Sequence, residues 1–216
     1  MKKLILSLLL LSPIIIWAQE EPKTESGRFS LGVRSSLSLF NDGNAGIGQG
    51  VGGQFRVQVN KKVNTEWFAD YLTSGIGNYA NRKDGHIGWS VMFYMGNSPN
   101  KKNSLSPYLL AGHCFDYTKM TDNFNSKNTL SRWSSAVQMG FGSHYNFTER
   151  FDVSLNTQYM IHLGKEITAN SYPSLIPEQY SPTIVISSSA AEIDLEGHLL
   201  VTMSMNYRLA DFNKKK

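Results

Sequence analysis

The side chains able to do chemistry are few and scattered. Five histidines stand at His86, His113, His144, His162 and His198, and no two lie at a metal-ligand spacing. His162 and His198, with Asp194 or Glu196 as acidic partner, are the best candidates for acid/base work on a lipid or peptide. A Ser-His-acid relay is defined by geometry, however, not by composition. Cys114 is the single cysteine and forms no intrachain disulfide. Gly48-Gln49-Gly50-Val51-Gly52-Gly53 formally satisfies a dinucleotide-binding pattern, but that fingerprint needs a preceding strand, a following helix and a βαβ frame. These glycines run instead into an alternating stretch, where they suit a crowded interior or a curved sheet. The expectation is a non-enzyme with no catalytic residues, cofactor or metal.

The elements that position these residues alternate with period two. Phe29, Leu31, Val33, Leu37 and Leu39 oppose Ser30, Gly32, Arg34, Ser36 and Ser38. Further runs follow at 51–59, 63–71, 86–95, 133–146, 151–163 and 193–209, with a weaker one at 107–117. Leu200 is the one apolar intruder on the polar face of the last run. Several runs exceed the ~5–6 residues of a typical globular strand and match the ~9–11 that cross a bilayer at a tilt. A soluble sandwich packs apolar faces together, whereas here the second face carries Arg34, Arg56, Glu66, Asp70, Asp152, Glu196 and Arg208 among glycines and serines. The fold expected is all-β: a closed antiparallel up-and-down transmembrane barrel of about eight strands.

A lumen of that size is filled by side chains, and charges inside it are tolerable when paired. Arg34, Arg56, Glu66, Asp70, Glu196 and Arg208 are therefore expected to form an ion-pair network that plugs the barrel. Aromatic girdles are expected at the two rims, with Phe29, Tyr108, Tyr145, Phe151 and Tyr207 on one and Trp89, Tyr117 and Trp133 on the other. Connections near 60–62 and 146–150 are short, and those near 73–84, 117–131 and 164–192 are long. This asymmetry matches periplasmic turns against external loops.

Lys2 and Lys3, the apolar residues from Leu4 to Ile16 and the small Ala18 read as a secretory signal peptide, residues 1–18. A short periplasmic segment, 19–27, then precedes a barrel at 28–212 and a basic tail at 213–216. Without Lys2 and Lys3 the chain has 19 basic residues against 17 acidic ones, which gives no nucleic-acid footprint. Asn146-Phe147-Thr148 matches a glycosylation acceptor but falls in a periplasmic turn.

Segments such as Gly52-Gly53-Gln54-Phe55-Arg56 and His86-Ile87-Gly88-Trp89-Ser90, with the closing Asn206-Tyr207-Arg208-Leu209, resemble small outer-membrane barrels. The likeness is to the OmpX and OmpA transmembrane-domain type, including PorT-like barrel domains. Such barrels commonly stop at a terminal aromatic, whereas Phe212 here precedes Asn213 and three lysines, which leaves Tyr207 and Phe212 as rival insertion signals. The resemblance implies outer-membrane lipids, lipopolysaccharide and the barrel-insertion machinery as partners. The leading expectation is a role in envelope integrity or in surface interaction through the long loops. The alternatives are a small-solute channel, a barrel enzyme acting on lipid or peptide, and an accessory subunit of a secretion system.

Overall fold

The computed structural model describes residues 26–40, 46–96, 101–165, 167–170, 183–186 and 197–211. The signal peptide, Asp194, Glu196, Phe212 and the lysine tail lie outside these residues. The strands are β1 (Arg28–Phe40), β2 (Gly48–Gln58), β3 (Val63–Ile76), β4 (Ala80–Tyr94), β5 (Ser104–Asp122), β6 (Thr129–Asn146), β7 (Phe151–His162), β8 (Ile167–Asn170), β9 (Thr183–Ile186) and β10 (Gly197–Asp211). Eight of them close an antiparallel barrel in the order β1-β10-β7-β6-β5-β4-β3-β2, and β8 pairs with β9 in a separate hairpin. No helix among the described residues is long and apolar enough to cross a membrane.

Alternation decides which way each side chain points. Leu31, Val33, Val51, Trp67, Ile87, Phe115, Met139, Phe141 and Leu155 are exposed on the outside. Arg34, Arg56, Glu66, His86, Asp116, Gln138 and Asn156 are buried inside. The turns at one end are made locally. Asn60 Oδ1 accepts hydrogen bonds from the Lys62 and Val63 backbone N–H groups at 2.8 and 2.9 Å, and Thr148 Oγ1 accepts from those of Arg150 and Phe151 at 3.1 and 2.9 Å. Such side-chain-to-backbone bonds are why Asn and Thr favour turns.

Two expected loops are largely strand. β3 and β4 are separated by residues 77–79 alone, not by a loop over 73–84, and β5 and β6 run on to Asp122 and from Thr129, so that 117–131 holds a short turn. Polar residues on both faces hid these extensions, because the outward side chains there are not apolar and leave no alternating pattern to read. The strand with the weakest parity in sequence, β5, is the longest at 19 residues. Its inward row mixes Tyr108, Leu110, Cys114, Asp116 and Met120. The 164–192 connection contains the β8–β9 hairpin.

Candidate functional site

Charged and polar side chains converge inside the lumen, where they are stacked in layers. Toward the end of the barrel that carries the 59–62 and 147–150 turns, Arg56 of β2 reaches partners on β3 and β7. Its Nε donates to Glu66 Oε2 at 2.8 Å, its Nη1 to Asp152 Oδ1 at 3.0 Å and its Nη2 to Ser154 Oγ at 2.9 Å. Arg34 lies 3.3 Å from Glu66 Oε1 through Nη1 and 3.0 Å from Asp70 Oδ1 through Nε. Its guanidinium also sits 4.4 Å above the Phe68 ring. Each cation is thus compensated at short range, the condition under which a buried charge is tolerated. His144 Nε2 and the Tyr94 hydroxyl are 2.9 Å apart below this layer.

Above the ion pairs runs an apolar belt of Phe68, Leu72, Cys114, Ala136, Met160 and Leu200. The intruder Leu200 belongs to it, and Cys114 Sγ lies 3.6 Å from Met160 Sδ. The outer half of the lumen is built on Asp116. His86 Nε2 is 3.3 Å from its Oδ1 and His162 Nδ1 is 3.1 Å from its Oδ2. Thr118 donates to Oδ2 at 3.0 Å. The His198 ring packs 4.9 Å from that of His162 and 5.6 Å from that of His86. Asp84, 3.0 Å from Arg82 Nε, also accepts from Thr118 at 2.8 Å. At the top, Ile167, Ala169 and Ile184 of the β8–β9 hairpin pack on Ile76, Ala80 and Met120 of the barrel. The Arg132 guanidinium donates to the Lys165 carbonyl and pins the chain leading into the hairpin.

Arg34, Arg56, Glu66 and Asp70 are brought together by this geometry, while Arg208 lies half-buried at the mouth next to the 147–150 turn, lining a cleft with Arg28, Arg56 and Asp152. Asp152, absent from the expected set, joins the network. Its inward parity was the available signal. Of the expected girdle, Tyr108 is corrected: even positions of β5 face inward, and its ring is fully buried 4.5 Å from that of His144. Trp89 is also corrected, for it continues a ladder from Phe29 through Phe55 and Trp67 at 6.0, 6.0 and 6.5 Å and so belongs with the Phe29 end. Tyr117 and Trp133 meet at 5.0 Å toward the outer end. Tyr145 and Phe151 flank Phe147 at 4.7 and 5.8 Å, and Tyr207 is exposed near the end of β10.

Three residues of this interior have the composition of a hydrolytic triad without its geometry. Ser134 Oγ and Asp116 Oδ2 both approach Nδ1 of His162, at 3.3 and 3.1 Å. A relay needs nucleophile and acid on opposite ring nitrogens. His162 and His198 do meet, but around Asp116 rather than the expected Asp194 or Glu196. Among the described residues no group of three or more His, Cys, Asp or Glu side chains is placed to hold a metal ion. Gly48–Gly53 lie within strand β2.

The sequence matches the outer membrane protein beta-barrel domain family over residues 5–175. The chain belongs to this family. Membership places the barrel in the outer membrane, with its aromatic and aliphatic exterior in lipid. Among solved structures it is similar to neisserial surface protein A, at 12% identity over 84% of this chain and 97% of that one, TM-score 0.52. It is similar also to AlkL, at 11% identity, 91% and 97% coverage, TM-score 0.52. The attachment invasion locus protein Ail of Yersinia pestis follows at 12% identity, 86% and 100% coverage, TM-score 0.50. These likenesses are of fold. No curated protein matches the sequence.

Proposed function

We propose that this outer-membrane barrel is a non-conducting, non-enzymatic envelope protein, exported by cleavage of residues 1–18. In this reading it supports envelope integrity or presents its outer end for surface interaction. The observation that carries it is closure of the lumen at successive heights: ion pairs around Arg34 and Arg56, the belt around Leu200, and the β8–β9 cap. A pore needs a continuous column of water, and an apolar belt sealed above and below by paired charges denies it one. The strand extensions of β3 to β6, with the β8–β9 hairpin, are the parts offered outward. Outer-membrane lipid, lipopolysaccharide, the insertion machinery and a surface ligand are the partners proposed.

Reconstitution of the full barrel in planar bilayers tests this. The wild-type protein is expected to be silent. Steady, ion-selective conductance overturns the closed-lumen reading and promotes the channel alternative.

A further inference from the structure

On the outward face of β3 to β6, among the described residues, only two side chains carry a lysine, arginine or carboxylate charge: Lys83 and Lys119. They are register partners across β4 and β5. Like charges directly opposite on one face of an antiparallel pair repel, so an uncompensated pair here costs stability. The carboxylates of the same two strands offer no relief. Asp84, Asp116 and Asp122 are buried on the other face, where Asp84 holds Arg82, Asp116 holds His86 and His162, and Asp122 accepts from the Phe124 backbone N–H.

The surroundings of the pair are graded by height. The row below it reads Tyr71, Gly85, Tyr117 and Trp133, with Tyr117 and Trp133 in ring contact. Its own row reads Thr73, Lys83, Lys119 and Ser131. The row above is Gly75, Asn81, Thr121 and Thr129, without an apolar side chain. From Leu105, where β5 first faces lipid, to Tyr117 is twelve residues. At a rise of ~3.3 Å and a tilt of ~40° this spans about 30 Å, the thickness of the hydrocarbon core. The lysine row therefore begins where the hydrocarbon ends, at the depth of the outer-leaflet headgroups.

We infer that Lys83 and Lys119 form a binding site for the phosphate of an outer-leaflet glycolipid. Tyr117 and Trp133 form the shelf beneath its sugar, and Thr73, Ser131 and Asn81 donate to sugar hydroxyls. One phosphate between the two ammonium groups removes their repulsion and gains both attractions. The site rests on the proposed contact with outer-membrane glycolipid and is independent of whether the lumen conducts.

The test is native mass spectrometry of the intact detergent-solubilised barrel with added bisphosphorylated lipid A. K83Q/K119Q is expected to weaken retention about thirtyfold, or about 2 kcal/mol at roughly 1 kcal/mol per lysine near an anionic surface. K83R/K119R is expected to retain the lipid. Wild-type protein is expected to release enzymatically dephosphorylated lipid A, and to hold phosphatidylglycerol less tightly because it lacks the sugar. Equal retention by wild type and the glutamine variant, or by wild type of phosphorylated and dephosphorylated lipid, overturns the site. Equal affinity for phosphatidylglycerol overturns the glycolipid assignment. Should the glutamine variant not fold, the lipid comparisons on wild-type protein still decide.

Discussion

Arg34 and Asp70 sit two strands apart, yet Nε of one lies 3.0 Å from Oδ1 of the other, because the residue between them in the register is Gly52. A Cβ on Gly52 would collide with Asp70 Oδ1 and the Ala69 carbonyl. The same arrangement recurs where Gln138 donates to Ser90 at 2.8 Å across Gly112. Glycine on the inner face is thus what lets non-adjacent strands be tied together through the lumen.

Gly52→Val is expected to break the Arg34–Asp70 pair and destabilise the barrel by about 3–5 kcal/mol, the cost of leaving a buried charge uncompensated. Gly53→Ala, one residue on but facing outward with only the Gly32 carbonyl 3.8 Å away, is expected to change stability by less than about 0.5 kcal/mol. Urea titrations of folding into vesicles measure both. Equal losses would mean that Gly52 is not a spacer.

Leu155→Arg places a cation on the lipid-facing side near mid-height of β7 and is expected to cost about 2–4 kcal/mol. Ser131→Arg, outward on β6 in the lysine row, is expected to cost less than about 1 kcal/mol. If the two costs match, the membrane boundary assigned from Tyr117 and Trp133 is misplaced. Asn156 is buried inside at 2% exposure, so Asn156→Arg overpacks the lumen and is expected to cost about 1–3 kcal/mol.

Cys114 is fully buried in the apolar belt against Met160. The folded barrel is expected to resist aqueous maleimide, with full labelling only in denaturant. Rapid labelling of the folded protein would show water at the belt and contradict a closed lumen.

Asp116→Ala is expected to destabilise the outer half by about 3–5 kcal/mol, since His86 and His162 both lose their carboxylate. Ser134→Ala is expected to cost about 1 kcal/mol, the net worth of a typical hydrogen bond. Stability comparisons at neutral pH check the ratio; a hydrolytic activity abolished by Ser134→Ala would reinstate the enzyme reading.

Period two in the sequence was enough to determine an all-β chain, the lipid-facing stripe and the inward parity of Arg34, Arg56, Glu66 and Asp70, because strand geometry sends alternate side chains to opposite faces whatever the tertiary context. It also marked Leu200 as anomalous without saying why. Register and closure were decided only by the folded barrel. Which inward groups meet depends on strand stagger: Asp152 joining Arg56, His86 and His162 meeting at Asp116 with His198 packed on both rings, and Leu200 finding Met160 and Phe68 all follow from partners 30 or more residues apart. The strand extensions above the membrane were equally hidden, since there hydrogen bonding between neighbours replaces apolar patterning as the signal. Tyr108 shows the same limit in one residue, for composition made it a girdle aromatic and parity within the closed sheet turned it inward onto His144.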